Sequence, residues 1–360
     1  MTATTLDTRS WEIGSADLLF RIVALTIVTM ALLFLLNNYL IFWRDWPGIV
    51  NLFSHQGWFG FEPLRTPLDG NAVTLGWLQL ASYLGLIVIV IGYVLATRER
   101  TLRLDSARFS AFASYIIRVA FWSVLFIGIV DSVISFLRVE GFLAAIVGNE
   151  LATQLGQSRF RGTFVHYPLI LASLVISYFV RGLGFTWLAL LVVLAEFQIV
   201  IVRFIFSYEQ AFLGDLVRFW YAALFLFASA YTLIEEGHVR VDVLYTGFNK
   251  RGKAWINTLG SLLLGIPLCW TILVFGMWGK ATVINSPLLA FETTQSGFGL
   301  YVKYLMAGFL AVYALSMMVQ FTSYFLSNVA DLRGEPGGEP QPEQVDTLTD
   351  ARRASPLPAD

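Results

Sequence analysis

The segment EEGHVRVDVL, residues 235–244, concentrates charge in a chain that is 57% hydrophobic. His238, Arg240 and Asp242 alternate with valines, so an extended backbone would place these three side chains on one side and the valines on the other. Gly237 precedes them, as is typical where a helix ends. Two interpretations fit the pattern: an ordinary solvated loop, or a polar latch that holds this turn in one geometry.

A second group of charged residues lies in or beside long apolar stretches: Glu196, Arg203, Asp215 and Arg218. Arg203 would share a helical face with Glu196 but lie about 10 Å further along the axis, too far for a direct pair. A charge inside a membrane is costly and is therefore a functional candidate by default. For Glu196 three roles remain open: an internal hydrogen bond, a contact with a partner subunit, or a proton or ion site.

Three other charges occupy apolar stretches. Arg118 and Asp131 fall toward opposite ends and on roughly opposite faces of one predicted helix, so we expect no pair between them. Arg118 and Arg21 are expected to extend their side chains to the membrane surface, as long basic residues commonly do.

The sequence offers no catalytic apparatus. GxSxG, HExxH and glycine-rich phosphate-loop motifs are missing, and the single cysteine, Cys269, excludes an internal disulfide and a CxxC site. Among the histidines, His166 is predicted at an outer helix end and His238 on the cytoplasmic side, so a bis-histidine haem site is not expected. The sequence predicts no enzyme, no cofactor and no metal site.

The elements that position these residues are apolar helices. A mean hydropathy of +0.67 and a charged fraction of only 14% over 360 residues indicate an integral membrane protein. The net charge of −1 gives no sign of the basic face that a nucleic-acid partner would need.

Eight apolar runs are long enough to cross a bilayer, which takes about 20 residues. The predicted spans are 18–42, 73–96, 111–137, 164–181, 184–206, 213–234, 255–278 and 300–326. As one helix, 164–206 would measure roughly 64 Å against a core of about 30 Å, so the chain should turn back at RGLG, 181–184. The sequence predicts an all-α integral membrane protein with about eight transmembrane helices.

Basic residues indicate the orientation. The connections 97–108 and 235–254 each hold four lysines or arginines, which favours the cytoplasmic side for both. Four spans separate them, as two loops on one side require, and both termini are then cytoplasmic. Outside the membrane, FLAAIVGNELATQLG at 142–156 repeats apolar residues every four positions and predicts an amphipathic helix.

Three motifs of the C-terminal half follow one another in a characteristic order. They are VRFIFSYEQAFLGDLVRFWYAALFLFASAY at 202–231, GHVRVDVLY at 237–245 and NSPLLAFETTQSGFGLYVKYLMAGFLAVYAL at 285–315. Over roughly 184–328 they resemble the small membrane subunit of tripartite ATP-independent periplasmic (TRAP) transporters, the DctQ-like family, on a four-span layout. Asp215 stands alone where that family usually has a carboxylate pair, and the loop at Ser286-Pro287 lacks a second proline.

The resemblance implies an auxiliary scaffold subunit in the bacterial inner membrane. Its implied partners are a separate large sodium-coupled membrane subunit and a periplasmic binding protein that delivers an organic acid. The alternative is a self-sufficient secondary transporter with a site between two four-helix halves. That alternative predicts paired broken helices near mid-membrane, and the sequence offers only Gly265 with Pro267 in the seventh span.

Three regions are predicted: an N-terminal four-helix extension at 1–183, a DctQ-like four-helix domain at 184–328 and a disordered cytoplasmic tail at 329–360. The extension lies outside the resemblance. LRLD at 102–105 matches VRVD at 239–242 at an offset of 137 residues, which favours the hypothesis of a degenerate parallel repeat. Chance similarity between two apolar halves is the alternative.

Overall fold

The computed structural model describes residues 13–181, 185–208, 210–234, 245–294 and 299–337, and no strand occurs among them. The helices are α1 (Ser15–Trp43), α2 (Gly48–Gln56), α3 (Gly70–Ala96), α4 (Leu102–Val139), α5 (Leu143–Val147), α6 (Asn149–Leu155), α7 (Ser158–Arg161), α8 (Tyr167–Phe179), α9 (Phe185–Phe206), α10 (Ala211–Ile234), α11 (Lys250–Gly260), α12 (Ile266–Met277), α13 (Asn285–Ala290) and α14 (Lys303–Arg333).

Seven helices of the described ranges are long and apolar enough to cross a membrane. They are α1, α3, α4, the α7–α8 unit, α10, the α11–α12 unit and α14. The remaining predicted span corresponds to α9, whose 22 residues extend about 33 Å. The prediction of an all-α membrane protein with about eight spans is confirmed, while its orientation in the membrane stays a prediction.

Helix α8 ends at Phe179, with extended backbone at Val180. Residues 182–184 of the break predicted at 181–184 lie outside the described residues, which resume with α9 at Phe185. The predicted single amphipathic helix at 142–156 is wrong. Gly148, with φ 83° and ψ 160°, separates α5 from α6, and this backbone conformation is open essentially only to glycine. The i, i+4 apolar pattern continues across a residue at which the backbone cannot remain helical.

Two π-helical turns, Gly162–His166 and Ser261–Gly265, connect α7 to α8 and α11 to α12. Each comes just before a proline, Pro168 or Pro267. In a regular α-helix the proline ring would clash with the carbonyl four residues earlier, and a wider turn relieves that clash. The residues flanking both turns keep right-handed helical dihedrals, so the helices continue through these positions. Neither turn is the unwound break that the self-sufficient transporter alternative predicts.

The centre of the bundle is formed by α4 and α14, which pack against each other along their length. In one buried cluster, Phe121, Val124 and Ile127 of α4 meet Phe219 of α10 and Met318 of α14. The periphery contains α3, packed on α1 and α2, and α9, packed mainly on α10. The C-terminal helix therefore forms the core around which helices of the N-terminal region are arranged.

Candidate subunit interface and buried ion clusters

The latch residues predicted from sequence, Gly237, His238, Arg240 and Asp242, lie outside the described residues. The other candidates, Glu196, Arg203, Asp215 and Arg218, lie on α9 and α10. The structure does not bring them together as one site. Glu196 and Arg203 are exposed on α9, whereas Asp215 is buried at the start of α10 and Arg218 is exposed one turn later.

Glu196 is the twelfth of the 22 residues of α9, about 16 Å from either end of the helix. Its side chain is exposed, whereas the preceding Ala195 is buried at 3% exposure. Among the described residues Glu196 makes no hydrogen bond and no ion pair. Arg203 is also exposed and has an interaction of its own. The internal hydrogen bond considered for Glu196 is therefore not observed in this part of the chain.

Apart from Arg203, which lies two turns further along, the residues of α9 that flank Glu196 on its face are apolar. Val193 is 62% exposed, Phe197 60% and Phe204 80%, as expected of side chains that contact lipid. An ionised residue at the centre of a membrane helix costs about 2.5–3.5 kcal/mol even by the lowest scales. A polar partner for Glu196 would remove much of that cost, so this face is the best candidate for contact with another subunit.

Polar groups also line a surface cavity of about 620 Å³ beside the C-terminal half of α9. Gln198 of α9 contributes to it, with Glu140 at the end of α4 and Tyr208 and Gln210 between α9 and α10. Gln210 Nε2 donates to Glu140 Oε1 at 2.8 Å. The polar character of the α9 surface thus continues from Glu196 toward this end of the helix.

Asp215 anchors the segment that leads into α14. Its Oδ2 accepts hydrogen bonds from Thr294 Oγ1 at 2.8 Å and from the Leu300 backbone N–H at 3.1 Å. Arg218 Nη1 lies 3.6 Å from Oδ1, but its side chain is 75% exposed, so this pair contributes little stability. Asp215 is therefore a structural residue of the DctQ-like region, and Arg218 remains available to a neighbour.

A buried ion cluster lies at the C-terminal end of α4. Asp131 Oδ1 accepts from Arg161 Nη1 at 2.9 Å and from His166 Nε2 at 3.1 Å, and all three side chains are fully buried. Because a carboxylate can only accept, Nε2 carries the proton of the imidazole. Arg161 also donates to Ser135 and to the Leu155 carbonyl. As predicted, Asp131 does not pair with Arg118.

The same cluster bonds the two regions of the chain to each other. The Tyr301 backbone N–H donates to Asp131 Oδ2 at 2.9 Å, and the Tyr304 hydroxyl lies 2.8 Å from His166 Nδ1. The Arg161 guanidinium lies 4.2 Å from the centre of the Tyr301 ring, a cation–π geometry. Removing one partner of the buried Asp131–Arg161 pair would cost about 3–5 kcal/mol, and the bonds of Tyr301 and Tyr304 connect the start of α14 to this cluster.

A second cluster lies at the opposite end of α4, where α1 begins. Arg21 Nε donates to Asp105 Oδ2 at 2.6 Å and Nη1 donates to the Thr97 carbonyl at 2.7 Å. Arg21 has no exposed surface, so its charge is compensated inside the protein; the expectation that it extends toward the membrane surface stays a prediction. Asp105, the fourth residue of α4, makes the burial of Arg21 possible, because its carboxylate compensates the charge of the guanidinium.

The end of α14 completes this second cluster. Arg333 Nε donates to Asp17 Oδ1 at 2.8 Å, joining residues 316 positions apart. Glu335 accepts from the backbone N–H groups of Leu102 and Arg103 at 3.1 and 3.2 Å, a favourable place for a carboxylate because helix N-termini carry partial positive charge. Both ends of α14 are therefore tied by charged groups to the N-terminal region.

Part of this bundle matches a family of transporter membrane components. Residues 189–330 match the model of the family described as tripartite ATP-independent periplasmic transporters, DctQ component. No curated protein and no solved structure matches the chain.

The matched part, which runs from α9 into α14, is a DctQ-like TRAP component. About 180 residues with helices of their own precede it. The resemblance inferred over 184–328 is confirmed, and the family is one of transporter components rather than enzymes.

Proposed function

We propose that the chain is the auxiliary, small membrane subunit of a TRAP transporter. It assembles with a separate large membrane subunit that couples sodium to solute movement, and a periplasmic binding protein delivers the solute, an organic acid, at the bacterial inner membrane. The observation that carries the proposal is the exposed carboxylate of Glu196 at the middle of the first DctQ-like helix, within the family match over 189–330.

The arrangement of the helices supports a scaffold role. The peripheral α9 packs mainly on α10 and leaves its Glu196 face open. The ion clusters at both ends of α14 join the N-terminal region to Tyr301 at one end and to Arg333 and Glu335 at the other. A rigid bundle of this kind enlarges the static surface against which a moving subunit can work. The tail predicted at 329–360 is placed on the cytoplasmic side, and its first residues belong to α14, which extends to Arg333.

The first experiment is affinity purification of the tagged chain from its native membrane in mild detergent, with mass spectrometry of the bound proteins. A larger polytopic protein in near-equal amount is the expected result. A chain that elutes alone and takes up an organic acid in proteoliposomes under a sodium gradient would contradict the subunit proposal.

The Glu196→Leu variant tests the interface itself. Removing a charged group that is hydrogen-bonded across an interface typically costs about 2–5 kcal/mol, so the affinity for the large subunit should fall by about 30-fold or more. Glu99→Gln is the matched control, because Glu99 is an exposed carboxylate between α3 and α4. Equal retention in both variants would remove Glu196 from the interface.

The turn at 235–244 is tested separately. If His238, Arg240 and Asp242 form a latch against the large subunit or within the turn, Asp242→Ala should weaken assembly more than membrane insertion. The measurement is the yield of complex relative to the yield of inserted chain. An unchanged ratio would leave the segment as an ordinary solvated loop.

A further inference from the structure

The surface cavity of about 620 Å³ lies between the C-terminal parts of α4 and α9. Along α4 its wall runs from Ser132 to Glu140, about 12 Å of helix. Gln198 and Val202 contribute from α9, and Tyr208 contributes from the connection to α10. The cavity therefore lies between the N-terminal region and the part of the chain that matches the DctQ family.

The cavity contains a carboxylate that is held in place through one oxygen. Glu140 Oε1 accepts a hydrogen bond from Gln210 Nε2 at 2.8 Å, and the Tyr208 hydroxyl lies 3.4 Å from the same oxygen. Gln210 is only 9% exposed, so its amide fixes the position of the carboxylate. Glu140 Oε2 makes no hydrogen bond to the described parts of the chain, although a carboxylate accepts on both oxygens. One acceptor in the cavity is therefore free for a ligand.

The composition of the wall selects a cation. Glu140 carries the only charge among the described residues that line the cavity, and a carboxylate attracts cations and repels anions. Phe136, Tyr208 and Phe212 also line the cavity, and aromatic rings attract a cation over their faces. A primary ammonium group matches both features, because its N–H donors form charge-assisted hydrogen bonds with a carboxylate.

The depth of the cavity indicates that the ammonium group belongs to a lipid. Glu140 lies at the end of the membrane-spanning α4, whereas Ser132 lies about 12 Å further into the bundle. Between them Val133 is 52% exposed and Phe136 is 42% exposed, so the lower wall offers open apolar surface. A lysine of a partner protein would need only the upper part, whereas a phospholipid uses the whole depth, with its headgroup at the carboxylate and its acyl chains below.

We propose that this cavity binds a phospholipid with a primary ammonium headgroup. The ammonium group donates to Glu140 Oε2, and the acyl chains pass Phe136 and Val133 toward the centre of the bilayer. Because an acyl chain gains little by leaving bulk lipid for an apolar groove, the preference among lipids depends on the headgroup. The bound lipid bridges α4 and α9, and the site does not require a large subunit.

Native mass spectrometry of the purified full chain tests the headgroup. Phosphatidylethanolamine and phosphatidylglycerol with identical dioleoyl chains are compared, since the second lipid has the phosphate but no ammonium group. An ion pair near the surface contributes up to about fivefold in affinity, so wild type should prefer phosphatidylethanolamine by about that factor. Glu140→Gln should lose the preference, and Glu140→Lys should reverse it. Glu150→Gln is the matched control and should keep the preference, because Glu150 is an exposed carboxylate of α6 outside the cavity.

Two further ligands test the N–H donors and the need for a lipid. Phosphatidylcholine keeps the positive charge but has no N–H, so it should bind at least about twofold more weakly than phosphatidylethanolamine. Glycerophosphoethanolamine has the same headgroup without acyl chains, so it should not displace the lipid at equal concentration.

Equal binding of phosphatidylethanolamine and phosphatidylglycerol by wild type would overturn the proposal and leave Glu140 to a basic residue of a partner subunit. An unchanged preference in Glu140→Gln or Glu140→Lys would also overturn it. Equal binding of phosphatidylcholine, or displacement of the lipid by glycerophosphoethanolamine, would have the same consequence.

The acyl chains are tested by filling the lower part of the cavity. Val133→Trp places an indole in the wall and should lower binding of dioleoyl phosphatidylethanolamine. Ile129→Trp is the control and should leave binding unchanged, since Ile129 is 46% exposed one turn away on the same face of α4 and lies outside the cavity. Unchanged binding to Val133→Trp would show that the cavity does not hold the lipid.

Discussion

The Asp131→Asn substitution removes one charge from the buried cluster at the end of α4 and keeps the size of the side chain. Asp131 accepts hydrogen bonds from Arg161, His166 and the Tyr301 backbone N–H at 2.9, 3.1 and 2.9 Å. An asparagine offers one acceptor oxygen and a donating amino group, so at least one of these bonds is lost. Because Arg161 then stays buried without a counter-charge, we expect a loss of about 3–5 kcal/mol in the free energy of unfolding.

A double-mutant cycle separates the pair from its surroundings. Arg161→Gln alone leaves Asp131 buried and unpaired, so its cost should be of the same size. The variant with both substitutions contains no buried charge at this point and should be more stable than the sum of the two losses predicts, by about 2–3 kcal/mol.

Unfolding in mixed micelles on titration with sodium dodecyl sulfate, followed by tryptophan fluorescence, measures these differences. Glu150→Gln is the control, because Glu150 is an exposed carboxylate in the connection between α4 and α8 and should change stability by less than about 0.5 kcal/mol. If Asp131→Asn behaves like this control, or if the two losses simply add, the cluster does not work as a coupled buried pair.

Three further substitutions probe other contacts in the same assay. Gly128→Ala puts a methyl group against the Trp220 indole between α4 and α10 and should cost about 1–3 kcal/mol; Gly85→Ala, where nothing lies within 4 Å, should not destabilise. Arg21→Gln leaves the Asp105 carboxylate buried and unpaired, and should lower the free energy of unfolding by about 3–5 kcal/mol. Glu335→Gln removes the carboxylate at the α4 N-terminus and should cost about 0.5–2 kcal/mol, with increased amide exchange in the first turn of α4.

Sequence patterns were sufficient for the membrane-spanning helices because a membrane demands long apolar runs whatever the tertiary contacts. The break between α8 and α9 followed from length alone, since 164–206 is too long for one crossing. The π-helical turns were not predicted, although each precedes a proline that a regular helix would resist. The split at Gly148 was missed because hydrophobic periodicity does not report backbone dihedrals.

The buried ion clusters could not be predicted from the sequence, for a different reason. Arg21 and Asp105 are 84 residues apart, and Asp131 and Tyr301 are 170 apart, so no local spacing marks them as partners. Asp131 was recognised as a costly charge, but its partner Arg161 lies in a short helix that composition assigned to a loop. For Glu196 the sequence indicated the need for a partner, and the structure shows that the described chain supplies none.

The central position of α14 imposes an order on synthesis. The acceptor oxygens of Asp131 leave the ribosome 170 residues before the Tyr301 N–H that binds them, a delay of roughly 10–30 s at ordinary elongation rates. During that interval the earlier helices would be in the bilayer without α14 between them. The polar groups that bind the start of α14, such as Asp131 and His166, would then face one another or lipid. A chain cut short before Lys303 would remain in that state, and a membrane protease could distinguish it from the finished subunit by those uncovered groups.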